Sequence, residues 1–572
     1  MAPVAQSGLS RRPVDPNIER ELSSTGLHPV MARLYAARGI THPREIAPNL
    51  ADLHHHLLLK NSEEAAARLA QAILAQERVI VVADYDADGA TACAVAVRGL
   101  RILGLDSVDF FVPNRFRHGY GLSRAIVEEL APRRPSLIIT VDNGIASIDG
   151  VAAAKSHAID TLVTDHHLAA DTLPDALIVN PNQPGCQFPS KALAGVGTIF
   201  YVLLATRAEL AVRHDPAYAK RSLAPLLDLV ALGTVADVVA LDHNNRILVE
   251  HGLRRIRAGA ACAGINALFA AANRDKETAT ASDLGFSIGP RLNAAGRLDD
   301  MSVGIRCLLT DDPVQARELA SKLQALNLER REIEEQMQTQ ALAIPAIGDV
   351  ATQFALTLYQ PDWHAGVVGL VASRIKEKYY RPVVCFARGD AGELKGSGRS
   401  IPPLHLRDAL DRVSKQHPGL ITKFGGHAMA AGLTIQESSL ADFEQAFEAA
   451  VQQTLVAEDL VPDLWHDGEL EAADIDARLA QNIAAQVWGQ GFPPPAFLGK
   501  FRVISQRSLK DKHLKLELQI DGNRHGATLK IPGILFNRAE PLPDEITARY
   551  SLDWNVFRGT GSVQIRILDW QA

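Results

Sequence analysis

Three carboxylates stand at alternate positions in Asp84-Tyr85-Asp86-Ala87-Asp88-Gly89, directly after an apolar run. Carboxylates held that close repel one another unless a cation lies among them. Hard oxygen donors favour Mg²⁺ or Mn²⁺, and imidazole among them shifts the preference towards Mn²⁺. If the chain stays extended, all three project to one side. The pattern also opens a Ca²⁺ loop of the EF-hand type, but its twelfth position is Val95 rather than Glu, and it follows a strand rather than a helix. Three further groups join it: Asp142-Asn143-Gly144, Asp165-His166-His167, and Asp237 in an apolar run from Leu232. Singly, each has an ordinary alternative: a turn, a surface pair of histidines, a helix N-cap or a core hydrogen bond. Together they make a carboxylate–imidazole cluster suited to phosphodiester hydrolysis. There, two cations ~3.5–4 Å apart would activate a water and stabilise the leaving oxygen.

Such a cluster needs elements that bring its parts to one place. Residues 78–83 read as a buried strand, preceded by an Ala-rich helix over 63–74 and followed by a helix over 90–103. Residues 136–141 form a strand ending at Asp142, and 158–164 a strand ending at Asp165. Alternating short strands and helices predict an α/β domain with a mostly parallel sheet. The carboxyl ends of its strands form the ligand crevice, where the acidic and histidine groups would meet. Over 314–337, Leu319, Leu323, Leu326, Ile333 and Met337 follow a three-to-four spacing, which predicts a long amphipathic connecting helix. A second α/β segment follows, with strands over 354–359 and 382–386 flanking a helix over 366–378. From about residue 495 the strands alternate, as in 513–520 and 562–568, and predict a small OB-like β-barrel. The expected organisation is therefore a helical lead-in over 1–60, a first α/β domain over 61–305, a linker helix over 306–345, a second α/β domain over 346–455 and the barrel over 456–572.

The chain has 572 residues, too many for one domain, with 47% hydrophobic and 22% charged residues, an ordinary globular balance. Its formal charge of −7 weighs mildly against a nucleic-acid binder, but from residue 500 onward 12 Lys and Arg face 8 Asp and Glu, so the tail is basic. Cys93, Cys186, Cys262, Cys307 and Cys385 are scattered without a CxxC pair. That argues against a disulfide framework and a zinc–thiolate site, and fits a reducing cytoplasm. Arg11 and Arg12 precede no apolar run, and no uncharged apolar stretch approaches ~20 residues, so neither a secretory signal nor a membrane helix is expected. His54-His55-His56 lies at no strand end and reads as packing or surface histidines.

In order, the segment 84–91, Asp142-Asn143, Asp165-His166-His167 and Asp237 resemble the motifs of the DHH phosphoesterase superfamily. The resemblance implies Asp86, Asp88, Asp142, His166 and Asp237 as metal ligands, with Asp142 bridging, and His167 on the scissile phosphate. Asp142, His166 and His167 are thus the catalytic candidates. Many members carry His where Val82 stands, and the resemblance to the RecJ-type branch gives that ligand's place to Asp84. The segment 113–122 resembles a substrate-facing RecJ-type segment, with Arg115 pairing a phosphate and Tyr120 stacking on a base. Residues 289–297, with Arg291 and Asn293, resemble another. Gly396-Ser397-Gly398-Arg399-Ser400 and Phe424-Gly425-Gly426-His427 resemble the DHHA1 domain. They read as Gly-rich loops whose backbone N–H groups can approach a phosphate. By resemblance Arg291, Ser397 and Arg399 hold a 5′-terminal phosphate, Asn293 contacts substrate, and Gly425, Gly426 and His427 line the cleft.

The implied activity is Mn²⁺- or Mg²⁺-dependent 5′→3′ hydrolysis of single-stranded DNA to mononucleotides, in recombination and repair. A groove between the α/β domains would admit one strand and exclude a duplex. The tail would hold the strand, with Trp554, Phe557 and Arg558 as candidates. Implied partners are single-stranded DNA, a single-strand-binding protein and a helicase, with no membrane. Two alternatives remain. One is a DHH–DHHA1 phosphodiesterase of short oligonucleotides or cyclic dinucleotides, whose relatives lack the N-terminal segment and the basic β-domain. The other is a non-catalytic single-strand-binding scaffold, which predicts eroded metal ligands.

Overall fold

The structure, a computed structural model, describes residues 8–114, 118, 121–344, 350, 352–521, 528–557 and 560–571. Arg115, Tyr120, Arg558 and the side chain of Phe557 lie outside the described part. Backbone contacts divide the chain into two units: Arg11–Leu326 with His466–Ala572, and Met1–Ser10 with Asn327–Trp465.

The first unit is built on five parallel strands: β1 (Val79–Ala83), β2 (Val108–Phe111), β3 (Leu137–Val141), β4 (Asp160–Thr164) and β5 (Leu177–Val179). Every residue of β1 and β3 is buried, which is why these strands read as unbroken apolar runs. The spatial order is β2-β1-β3-β4-β5. Strand order reverses between β1 and β3, and in open α/β sheets that reversal opens the ligand crevice. Helices α1 (Ala87–Leu103) and α2 (Gly195–Arg213) pack on the sheet, and α3 (Leu227–Ala236) and α4 (Gly289–Leu298) pack on α1. By length and composition α2 could cross a membrane, but 67% of its apolar window is buried, and it is a core helix. The 30-residue α5 (Pro313–Leu342) carries residues of both units and buries Ala316, Ala320 and Leu323 at three-to-four spacing.

The second unit holds a mixed sheet of β6 (Leu356–Tyr359), β7 (Val383–Arg388), β8 (Glu393–Arg399), β9 (Lys423–Gly426) and β10 (Ala430–Gln436), in the order β9-β10-β8-β7-β6. Only β6 and β7 pair in parallel. Helix α6 (Val368–Tyr379) packs on β7 and β8. The glycine-rich segments expected as loops are strands instead. Ser397 pairs with Cys385 on one side and Gly432 on the other, and Gly425 also pairs with Gly432. The glycines answer to packing: a Cβ on Gly396 would lie 2.5 Å from the Phe386 ring.

The C-terminal part of the first unit is a closed five-stranded barrel of β11 (Phe497–Leu509), β12 (His513–Asp521), β13 (Thr528–Leu535), β14 (Glu545–Phe557) and β15 (Thr560–Gln571). Closure between β11 and β14 leaves no free edge along most of its length. Trp554 is half-buried against the barrel core, so at most part of its ring can meet a strand. Before the barrel, buried Asp467 forms a bidentate pair with Arg38 at 2.9 and 3.0 Å, and its Oδ2 also accepts from Ala496 N at 3.0 Å. The pair ties the N-terminal helices to the chain leading into the barrel.

Candidate metal centre and phosphate-binding residues

The chain leaves β1 and β3 side by side at the strand-order reversal. Asp84 N donates to Val141 O at 3.3 Å, and Asn143 Nδ2 donates to both Val82 O (3.1 Å) and Val141 O (2.9 Å). Asp142 takes a left-handed φ of 61°, uncommon for a residue with a side chain. The segment after β1 is not extended. Asp86 is the N-cap of α1, accepting from Gly89 N at 2.9 Å, and Asp88 already lies in the first helical turn. The three carboxylates therefore diverge. Asp84 and Asp86 group with Asp142, whereas Asp88 groups with His166 and Asp237, and Asp142 also groups with His166 and His167. In each group the candidate ligand atoms lie within 4.8 Å of one another. Val82, at the position where many superfamily members carry histidine, is wholly buried inside β1.

Helices supply the rest. The carboxylate of Asp88 accepts from Gly195 N (2.7 Å) and Val196 N (3.0 Å), so the positive N-terminus of α2 holds it. A Cβ on Gly195 would lie 2.6 Å from Asp142 Cβ, so the α2 terminus can approach this closely only as glycine. Asp237 is the C-cap of α3, not an N-cap. A carboxylate at a helix C-terminus opposes the helix dipole, which points to a function for the charge. His166 Nε2 lies 3.1 Å from Asp142 Oδ1 and 3.5 Å from Asp237 Oδ2.

Asp165 is a positioning group. Its buried carboxylate accepts from His166 N (2.7 Å), His167 N (3.1 Å) and Ile145 N (2.9 Å), and pairs with His167 Nδ1 at 2.7 Å. The amides of Asn180 and Asn182 donate to the carbonyls of His167 and His166 at 2.9 and 2.6 Å. The sequence reading missed both asparagines, although they directly follow β5 at the same sheet edge. His54 packs edge-on against Phe188, and burial pushes the His56 imidazole down to about 4.

The electrostatics fit a divalent cation. Burial, then the charges of Asp237 and Asp86, push the Asp88 carboxyl well above its ordinary range. Burial and the neighbouring carboxylates, Asp88 foremost, do the same to Asp142. Burial and Asp86 raise Asp237 to about 7. Burial opposes charge on His167, but the hydrogen bond and charge of Asp165 lift it to about 9. Burial likewise opposes charge on Asp165, and His167 nevertheless holds it below the usual carboxylate range. Buried like charges of this kind are relieved by a cation, and oxygen donors with one imidazole suit Mn²⁺ or Mg²⁺.

The other sequence-picked residues divide between the units. In the first, Asn293 Oδ1 accepts from Ala87 N at 2.8 Å and so braces the start of α1 beside Asp86. The Arg291 guanidinium donates to Ser287 O. In the second, Arg399 Nη1 donates to Ser397 Oγ (3.1 Å) and Gly398 O (2.8 Å). Both side chains face the N-terminus of α6, where a Cβ on Gly369 would lie 2.7 Å from Ser397 Oγ. A guanidinium and a hydroxyl at a helix N-terminus suit a phosphate. Backbone N–H groups of β8 are engaged in the sheet, so side chains rather than a loop backbone would do the binding. His427 N donates to Ala430 O at 2.8 Å in the turn joining β9 and β10.

Family models match along most of the chain: the DHH family N-terminal domain over residues 78–234, the DHHA1 domain over 350–453 and the RecJ OB domain over 466–569. The single-stranded-DNA-specific exonuclease RecJ of Salmonella typhimurium is 48% identical over 579 residues, covering 99% of both chains. The chain belongs to the RecJ family. Among solved structures, RecJ from Thermus thermophilus in complex with Mn²⁺ matches with a TM-score of 0.82 and 30% identity, covering 99% of this chain and 79% of that one. The complex of the same RecJ with Mg²⁺ matches with a TM-score of 0.76 and 29% identity, covering 99% and 78%. Within the family, the fold and the Mn²⁺ or Mg²⁺ cofactor agree with what the motifs implied.

Proposed function

We propose that the protein is a metal-dependent exonuclease that degrades single-stranded DNA from the 5′ end to 5′-mononucleotides, in DNA recombination and repair. The observation that carries this reading is the convergence of Asp84, Asp86, Asp88, Asp142, His166 and Asp237 at one sheet edge, with every expected acidic or imidazole ligand present except at the Val82 position. Intact ligands speak against a non-catalytic scaffold. The N-terminal segment and the barrel, present here, speak against a phosphodiesterase confined to very short substrates.

In this reading Asp84, Asp86 and Asp142 would hold one cation, and Asp88, His166 and Asp237 a second, with Asp142, 3.1 Å from His166, lying between the two sets. When bound, the cations lower the pKa of a water and neutralise charge on the departing oxygen. The protein's own groups do the rest. Asp165 orients the His167 imidazole through Nδ1, so the other ring nitrogen would hydrogen-bond the scissile phosphate. Asn180 and Asn182 fix the backbone that carries both histidines. Arg291, Ser397 and Arg399 bind phosphate, and Arg115 and Tyr120 hold the strand near the site. Gly425, Gly426 and His427 line its path, and the barrel binds the single strand beyond it. A single-strand-binding protein and a helicase are the expected partners. The cytoplasm is the expected compartment, where five free cysteines persist as thiols.

Digestion of strands labelled at either end, with Mn²⁺ or Mg²⁺ and a blunt duplex as control, tests the reading. Mononucleotides should leave the 5′ end of single strands only, and EDTA should abolish the reaction. Strand binding without hydrolysis under either metal would overturn it, and cleavage confined to oligomers of a few nucleotides would favour the short-substrate alternative.

A further inference from the structure

Two exposed apolar side chains lie on segments that meet next to the metal-ligand candidate Asp237, where the backbone departs from its usual forms. Phe286 is 84% exposed and Val238 is 64% exposed. Single exposed apolar residues are common on any surface, but these two stand on unusual backbone. Phe286 lies in a π-helical turn, Leu284–Ile288, a geometry found frequently at functional sites. Val238 is β-branched yet left-handed, with φ 64°, a strained combination that clusters at active sites and ligand clamps. The two segments touch through Val235. Val238 N donates to Val235 O at 3.3 Å, and a Cβ on Gly285 would lie 3.2 Å from Val235 Cγ1. Asp237, the cluster's carboxylate, immediately precedes Val238. On the other side, Ser287 O accepts from the Arg291 guanidinium. Phe286 therefore stands between a metal-ligand candidate and a phosphate-binding candidate, on a turn braced at both ends.

We propose that Phe286, backed by Val238, is the platform on which a nucleobase of the bound strand stacks beside the metal cluster. The inference rests on the single-strand nuclease reading above and names one of its substrate contacts. Phe286 and Arg291 stand on consecutive helical segments, and an aromatic face near a guanidinium matches the alternation of base and phosphate along a strand. Stacking of this kind accepts every base, as a nuclease that consumes arbitrary sequence requires.

The test compares the full-length protein with Phe286→Ala and Phe286→Trp in two arms. In the first, each is combined with Asp142→Asn to prevent cleavage and mixed with Mn²⁺ and oligonucleotides carrying 2-aminopurine at successive positions from the 5′ end. Quenching at one position should be lost in Phe286→Ala with an affinity loss on the order of tenfold, and be restored in Phe286→Trp. In the second, digestion by Phe286→Ala should show a KM raised on the order of tenfold with kcat little changed. The difference from wild type should vanish when that nucleotide is abasic. Unchanged quenching and affinity in Phe286→Ala would overturn the proposal, and so would equal losses in Phe286→Trp with unaltered thermal unfolding. A wild type that binds strands but cleaves none would overturn the nuclease reading instead, and the first arm would still decide the role of Phe286.

Discussion

At the carboxyl edge of the parallel sheet, β1, β3 and β4 deliver carboxylates and imidazoles that a bound cation would reconcile. In the mixed sheet, β8 presents Ser397 and Arg399 from within the sheet to the N-terminus of α6, an arrangement that suits an anion. Both are α/β layers, yet each gathers one sign of charge, and by different means. The parallel sheet uses strand ends, where each strand gives way to a loop or helix and side chains from separate motifs converge. The mixed sheet uses one strand and one helix terminus, kept close by Gly369. A phosphodiesterase needs both signs, and the difference predicts that the two regions fail differently when altered.

The largest effect should come from the acidic region. Asp142→Asn suits the left-handed backbone, since Asn tolerates positive φ, so the fold should persist. Hydrolysis should fall on the order of 10³-fold or more, as expected when a group acting as part of a unit is removed. The metal-free protein, however, should become more stable, because one of several mutually repelling buried carboxylates is neutralised. Its Tm without metal should rise by about 1 °C for each ~1 kcal/mol of repulsion relieved in a chain of this length, and the further rise on adding Mn²⁺ should shrink. A variant that is both inactive and less stable without metal would mean that the cluster is not under charge strain.

The same contrast governs what could be read from the chain. The five buried residues of β1 and of β3, each followed by Asp, announced strand ends and hence a shared edge, and the structure places them there. How the carboxylates diverge was not legible, because it depends on helix α1 starting at Ala87. Nor was the bracing by Asn143, Asn180 and Asn182, since an asparagine after a strand looks like any turn residue. Gly396-Ser397-Gly398-Arg399 reads as a loop only if its glycines stand for flexibility. Here they make room for Phe386 and for neighbouring strands, a tertiary demand with no local signature. The π-turn carrying Phe286 had no sequence signal either.

A smaller effect is expected in the basic region, and on binding rather than turnover. Arg399→Gln should leave kcat nearly unchanged but narrow the preference for 5′-phosphorylated over 5′-hydroxyl strands, measured as a ratio of KM values, by about 10–100-fold. Gly369→Ala should produce a partial version of the same loss, because the added methyl would displace Ser397 Oγ and Arg399 Nη2, which lie 2.7 and 2.9 Å from its place. Equal weakening on both kinds of 5′ end would show that Arg399 contributes general attraction rather than reading the terminus.

The finest test uses pH, because the raised carboxyl of Asp237 should make metal-free stability depend on it, and a variant can isolate that contribution. Asp237 titrates at about 7 in the folded protein against 3.8 for an ordinary Asp. Below about pH 4 both folded and unfolded chains hold the proton; between about 4 and 7 only the folded chain does, so stability falls as pH rises through that window. His167 adds a second decline. Its pairing with Asp165 stabilises the fold fully below its ordinary value of 6.5, and that contribution is lost as pH rises through about 9. With EDTA, Tm should therefore decline from acid to alkaline pH. In Asp237→Asn the first decline should weaken while the second remains, and the difference between the two profiles removes titrations elsewhere in the chain. Saturating Mn²⁺ should flatten the acid-side decline in the wild type, because the bound cation favours the deprotonated carboxylates. Identical profiles for wild type and Asp237→Asn would mean that Asp237 is ionised throughout, and that the negative charge at this sheet edge is already balanced without a metal.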